Sequence, residues 1–291
     1  MQGTIISVDK VPAVIGEMFS TITLALAPIA ERNKVILISP MANSKKISSA
    51  GDYIFRIYPN NALESKKLVE LAFSLNLTKG AILYMNNDFG TDLGQSVNQD
   101  FAQNGGTVTI SDGYNPDATD FRTQLTKIKA KNPNVIFLIG YPNDMAMILK
   151  QAKEMGIKSQ FIAPDTFNEP EIIRLSGNAS EGVIFVYPPN GDPQLWQEFN
   201  QKIKSKYGAD ANIITGMAYD TVYLLAAAMK SNGTTSDEIK AGLYQIKDYP
   251  GVTGNITIDK NGDVSSRELI PQIVRGGKFM DYKAKELSHI S

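Results

Sequence analysis

The chain has 291 residues, a formal net charge of −1, no cysteine and one histidine, His289. That length suits two domains of ordinary size rather than one core. The composition excludes disulfides, zinc–thiolate centres and cysteine nucleophiles, and it leaves no histidine pair for a metal or for acid–base work. A near-neutral charge gives no electrostatic footprint for nucleic acid, and no apolar run approaches the ~20 residues of a membrane span.

Short apolar runs alternate with stretches of helical period along the chain. Val11 to Gly16 reads as a buried strand, Thr21 to Asn33 as a helix (Ile22, Leu26, Ile29, Ala30) and Val35 to Ser39 as the next strand. Tyr58-Pro59-Asn60-Asn61 breaks the chain before a helix at Leu63 to Leu75. Strands then fall at Ala81 to Met85, Thr107 to Ser111, Val135 to Ile139 and Gln160 to Ala163, with helices at Asp92 to Asn104, Phe121 to Lys131 and Asp144 to Met155 between them. Such alternation argues for an α/β protein whose parallel sheets are covered on both faces. After the proline-rich stretch Val186 to Pro193, helices are expected at Gln194 to Tyr207, Ile214 to Ser231 and Asp237 to Ile246. The period then changes to two, and Gly254 to Asp259, the turn Asn261-Gly262-Asp263 and Glu268 to Val274 read as hairpin-like strands.

The chain carries an internal echo. The strands ending at Gly16 and Gly140 are each followed by loop, helix and a strand closed by a proline, and Gly16 to Pro40 spans the same length as Gly140 to Pro164. Two similar lobes follow, with switches near Pro59, Tyr187 to Pro189 and Ser265. The first is expected over residues 1–59 and 190–264, the second over 60–189 and 265–291. Met1 to Ser7 has neither the basic start nor the apolar core of a leader.

In parallel α/β sheets, ligands sit beyond the carboxyl ends of the strands. Those loops carry Met18, Phe19 and Ser20; then Met41, Ala42 and Asn43; then Phe89; then Tyr141; then Asp165. Ser20 precedes a helix, where it is either a plain N-cap or part of an anion site made with the first-turn N–H groups. Asp165 is either the cap of a following turn or the partner of an ammonium group. Met18, Phe19, Phe89 and Tyr141 serve ordinary packing or an apolar wall. Taken together these suit a zwitterion with an apolar side chain. No phosphate loop, dinucleotide fingerprint or nucleophile elbow is present in the sequence. Asp259 to Asp263 reads as a turn rather than a calcium loop, and Asp117, Asp120 and Asp220 read as caps.

Several segments resemble one known family in order and spacing. They are Val14-Ile15-Gly16 to Ser20, Leu24 to Glu31, Ile38-Ser39-Pro40, Tyr53 to Arg56, Asp88-Phe89-Gly90, Thr119-Asp120-Phe121 with Leu125 to Lys129, Ala218-Tyr219-Asp220 and Gly262-Asp263. The chain resembles the branched-chain amino-acid type of periplasmic binding protein, the receptor component of ABC uptake systems. The resemblance implies a type I fold of two doubly wound parallel-sheet lobes, the first lacking its opening β-α-β unit, so that the strand at Val11 becomes an exposed apolar edge. It implies that Ser20 holds a ligand carboxylate, with Ala42 and Asn43 beside it, Asn43 standing for a threonine or serine. It implies that Phe89 replaces a tyrosine, that Tyr141 matches a second tyrosine, that Asp165 pairs with the ammonium and that Ile214 stands where an aromatic lines the side-chain pocket. A monomer outside the cytoplasm, periplasmic or extracellular, is implied, with a small amino-acid-like ligand, an ABC permease as partner, no nucleic acid, no cofactor and no catalysis. The alternatives are a sensory module of the same fold and a carboxylate-dependent α/β enzyme.

Overall fold

The computed structural model describes residues 10–282. His289 and the stretch up to Asp9 lie outside the described residues. Residues up to Asn60 and Pro188–Glu268 form one compact unit, and Asn61–Tyr187 with Leu269 onward form a second.

The first unit opens with β1 (Ala13–Ile15), α1 (Ser20–Asn33), β2 (Ile36–Ser39), a 3-10 turn (Lys45–Ser49) and β3 (Ile54–Arg56). These strands form a parallel sheet in the order β1-β2-β3. Among the described residues β1 is an edge strand, and Ile15 is 40% exposed. β2 is buried along its whole length. Lys34 ends α1 in a left-handed conformation, with its N–H bonded to the carbonyls of Ala30 and Glu31. Val14, Ala27, Ala30, Leu37, Ala42, Ile47 and Ile54 make a core beneath it.

The remainder of this unit is α7 (Pro193–Tyr207), α8 (Ile213–Asn232), α9 (Ser236–Tyr244) and a hairpin of β9 (Tyr249–Gly251) with β10 (Gly254–Ile256). Sequence accounts for the helix starts. Asp192 caps α7 ahead of Pro193, Asn212 caps α8, and Thr235 with Glu238 forms a reciprocal capping box on α9.

The turn expected at Asn261 to Asp263 is present, with Ile258 bridging Val264 antiparallel across it, but the strand at Gly254 also has an earlier partner. That partner is β9. The cause is Asp220, a buried residue of α8 that is no cap. Its carboxylate accepts the N–H groups of Val252 (2.8 Å) and Thr253 (3.0 Å) and the Thr253 hydroxyl, which fixes the turn between β9 and β10. Asp259 organises the next turn, accepting from Asn261 N (2.8 Å) and Asp263 N (3.0 Å).

The second unit holds α2 (Asn61–Ser74), β4 (Lys79–Met85), α3 (Asp88–Gln103), β5 (Thr107–Tyr114), α4 (Arg122–Lys131), β6 (Val135–Ile139), α5 (Pro142–Glu154) and β7 (Gln160–Ala163). A 3-10 turn (Asp165–Phe167), α6 (Pro170–Ser176) and β8 (Ile184–Tyr187) follow, and β11 (Ile270–Arg275) and β12 (Lys278–Asp281) close the unit. Its seven-stranded sheet runs β12-β11-β8-β7-β6-β4-β5. The strands from β4 to β8 are parallel, and β11 adds antiparallel to β8. Alternate residues feed two cores. Leu83, Ile136, Leu138 and Phe185 face one side, while Ile82, Val135, Phe137, Ile139 and Ile184 face the other. This double burial is why these strands read as unbroken apolar runs.

The two strand–helix–strand echoes are alike in structure, since β1 pairs with β2 and β6 with β7, both parallel. In the seven-stranded sheet the chain leaves β4 in one direction for β5, and from β6 proceeds in the other to β7 and β8. The switch point therefore lies between the carboxyl ends of β4 and β6.

Candidate functional site

In the first unit the loops after β1 and β2 are tied together by one residue that the sequence did not single out. Ser39, fully buried at the end of β2, donates its hydroxyl to the Glu17 carbonyl. The same oxygen accepts the N–H groups of Ala42 (2.9 Å) and Met41 (3.3 Å).

Ser20 is the first residue of α1 and is 2% exposed. The N-cap is Phe19, which makes no side-chain cap. The N-cap reading of Ser20 is therefore corrected. Its hydroxyl turns sideways, accepts the backbone N–H of Ser44 (3.1 Å) and reaches Asn43 Oδ1 (3.5 Å). The structure thus joins Ser20, Ala42 and Asn43, with Met41 half-buried beside them. Met18 and Phe19 stand next to Ser20 with 42% and 46% of their surfaces exposed. Ile214 is half-buried on the first turn of α8, and no bond ties it to these loops.

The loop that carries Ala42 and Asn43 rests on a buried ion pair. Arg56, at the end of β3, has no exposed surface. Its Nε and Nη2 donate to the two carboxylate oxygens of Asp263 at 2.7 and 2.9 Å. Nη1 donates to the Ser44 carbonyl (2.7 Å) and Nη2 to the Ser48 hydroxyl (2.6 Å). The guanidinium geometry thereby fixes the carbonyl of the residue whose N–H is fixed by Ser20. Arg56 and Asp263 both lay in the family-like segments of the sequence, but nothing local in it revealed that they pair.

In the second unit the loops after β4, β6 and β7 converge. Asn87 caps α3 by accepting Gly90 N (2.7 Å), and its amide reaches the Tyr141 hydroxyl (3.5 Å). Gly90 is required there, because a Cβ would strike the Met85 carbonyl. That close approach seats Phe89, 2% exposed, against Tyr141, with ring centroids 5.7 Å apart and planes at 16°. The stack lies at the switch point.

Gly140 is needed for a similar reason, since a Cβ would meet the Tyr114 hydroxyl. Thr166 donates to the Gly140 carbonyl (2.8 Å) and so draws the loop of Asp165 to the end of β6. Asp165 is 5% exposed and opens the 3-10 turn, with Pro164 as its N-cap. Its backbone N–H donates to Glu64 Oε1 at 2.8 Å.

The electrostatics of this cluster follow from burial. Tyr141 is pushed up to about 12, first by burial, with the charges of Asp165 and Asp144 adding to it and the Asn87 hydrogen bond opposing. Burial lifts Asp144 to about 6, against the hydrogen bond from the Tyr141 backbone. Glu64 rises well above the carboxylate range through burial and then through the Asp165 charge. The cluster therefore offers a stacked aromatic wall, a phenol that stays protonated and a buried acid pair. Phe89, Tyr141 and Asp165 lie on neighbouring loops of this cluster, while Glu64, Asn87 and Asp144 are additions. Among the described residues no cluster of acids or histidines has the arrangement of a metal site.

Comparison with known proteins agrees with this architecture. A family model described as periplasmic binding protein matches residues 4–278. A leucine-, isoleucine-, valine-, threonine- and alanine-binding protein of Pseudomonas aeruginosa is 26% identical over 262 residues, covering 89% of this chain and 70% of that protein. A Leu/Ile/Val-binding protein of Escherichia coli is 24% identical, covering 90% of this chain and 71% of that protein. Among solved structures, a leucine-binding protein of Thermotoga maritima is 26% identical with a TM-score of 0.90, over 96% of this chain and 81% of that one. A branched-chain amino-acid transporter substrate-binding protein of Streptococcus pneumoniae, in complex with isoleucine, is 26% identical with a TM-score of 0.83, over 95% of this chain and 80% of that one. The chain belongs to the periplasmic binding protein family.

Proposed function

We propose that this chain is the extracytoplasmic solute-binding receptor of an ABC uptake system, and that it takes up an amino acid with an apolar side chain or a related small carboxylate without transforming it. The observation that carries the reading is the family match over residues 4–278. The relatives named for binding leucine, isoleucine and valine support the ligand class. The partner is then a membrane permease of the same system, and the compartment lies outside the cytoplasmic membrane.

The chemistry of the loops supports specific roles. Ser20, with the backbone of Ala42 and Asn43 beside it, receives the ligand carboxylate at the amino end of α1, where the helix dipole favours negative charge. Asp165 receives the ammonium through a charge-assisted hydrogen bond. The Phe89–Tyr141 stack packs the ligand's body, with Met18, Phe19, Met41 and Ile214 completing the apolar surroundings.

Isothermal titration with leucine, isoleucine and valine, and with their deaminated carboxylates, tests the reading. One ligand per chain is expected, recovered unchanged. Asp165→Ala is expected to weaken leucine about 30-fold or more, because a charged hydrogen bond costs ~2 kcal/mol or more to lose. It should weaken 4-methylpentanoate, which lacks the amine, by no more than about threefold. Consumption of the ligand, or no binding of any of these compounds, overturns the receptor reading.

A further inference from the structure

Glu64 belongs to α2, whose pattern of charges gives no hint of a buried acid, yet it is 2% exposed. Its carboxyl accepts the Asp165 N–H at 2.8 Å from a residue 101 positions away, so two buried acids stand side by side. Two buried carboxyl groups side by side can share a hydrogen bond only when one of them carries a proton, because an ionised carboxylate accepts and never donates. Burial and the adjacent Asp165 charge both push the Glu64 acid up, and the backbone N–H opposes them with a smaller effect.

On α2, Lys67 pairs with Glu70 on the exposed side, at 2.8 Å. On α3, Asp92 accepts the Asn61 amide at 2.8 Å. From the end of β6 Tyr141 faces Asp165 as a protonated phenol, and Asp144 on α5 acts on Tyr141.

We propose that Glu64 is a positioning residue for amine recognition: as a neutral acid it donates its proton to the Asp165 carboxylate and accepts the Asp165 N–H, so that Asp165 faces the ligand ionised and fixed in orientation. This rests on the reading of Asp165 as the amine's partner. It carries a consequence beyond that reading. The ammonium of a bound ligand favours the ionised form of the pair, so binding releases a fraction of the Glu64 proton as the pH rises above neutrality. No such release accompanies a ligand without an amine.

The experiment compares the parent chain, Glu64→Gln and Glu64→Ala. Without ligand, the infrared C=O band of a buried protonated carboxyl is expected at pH 7 in the parent and is lost in Glu64→Gln. Leucine is expected to bind Glu64→Gln within about threefold of the parent, since the amide also donates and accepts. Glu64→Ala should bind leucine at least tenfold more weakly, with 4-methylpentanoate much less affected. Titration in buffers of different ionisation enthalpy should reveal proton release with leucine in the parent and none in Glu64→Gln. If Glu64→Ala does not fold, the infrared band and the proton count in Glu64→Gln still decide.

Absence of the band, equal leucine affinity in all three chains, or the same proton release in Glu64→Gln overturns the role of Glu64 alone. Failure of the parent to bind leucine or its relatives overturns the receptor reading instead.

Discussion

The pairing of Arg56 with Asp263 makes the sharpest demand on stability. Replacing Asp263 with alanine removes both acceptors that face Nε and Nη2, at 2.7 and 2.9 Å, and leaves a guanidinium with no exposed surface and no counter-charge. Taking away one partner of a buried ion pair costs ~3–5 kcal/mol, most of it the desolvation of the charge left behind. A shift of that size lowers the melting temperature by ~10 °C in a unit of this kind. The Ser44 and Ser48 contacts of Arg56 survive but are neutral, so they recover only part of the loss.

Urea denaturation of Asp263→Ala, Arg56→Leu and the double variant measures the coupling directly. The double variant is expected to be less destabilised than the sum of the single ones by ~2 kcal/mol or more. Leucine affinity in Asp263→Ala should fall as well, because Arg56 orients Ser44 and, through it, the Ser20 hydroxyl. A cost below ~1 kcal/mol for Asp263→Ala, or strict additivity, would refute the reasoning.

Other consequences are independent of that pair. Ser20→Ala should weaken leucine and 4-methylpentanoate by similar factors, about tenfold, in contrast to Asp165→Ala; a loss confined to leucine would remove Ser20 from the carboxylate. Asp144 has a folded-state acid raised to about 6 from 3.8, so it contributes stability that is full below its ordinary value and lost as the pH rises through 6. Asp144→Asn should therefore gain on the parent by ~1–3 kcal/mol between pH 4 and pH 7 in chemical denaturation, and a gap that does not change with pH would contradict the burial of that acid. Gly140→Ala should cost ~1–3 kcal/mol by forcing a methyl onto the Tyr114 hydroxyl, and Tyr114→Phe should relieve part of it; a neutral Gly140→Ala would mean that the close approach imposes nothing.

What the sequence disclosed and what it concealed divide by the range of the interaction. The strand at Val135 to Ile139 was legible to the residue, because a strand buried on both faces has no polar interruption. Helix ends were legible to within a few residues, because Asp192, Asn212 and the Thr235–Glu238 box act on backbone groups within a turn. The pairing of β10 with β9 was missed for the opposite reason, since Asp220 fixes the turn between them from more than 30 residues away.

The candidate site follows the same rule. Its loops follow the carboxyl ends of strands as the sequence indicates, but the orientation of the polar groups within them was not legible. Ser20 has the residue type of a cap and stands at a helix start, yet Phe19 holds the cap position and the Ser20 hydroxyl bonds to Ser44 across 24 positions. Glu64 falls by helical period on the face of Leu68, Leu71 and Ala72, but nothing local shows that an acid there meets Asp165. Burial can be inferred from pattern, but the partner that makes a buried charge tolerable is a property of two distant segments at once. The polar groups proposed for ligand recognition are held by pairs of this kind, Arg56 with Asp263 and Glu64 with Asp165. Substitutions at their remote partners are therefore expected to change binding as much as substitutions at the loops themselves.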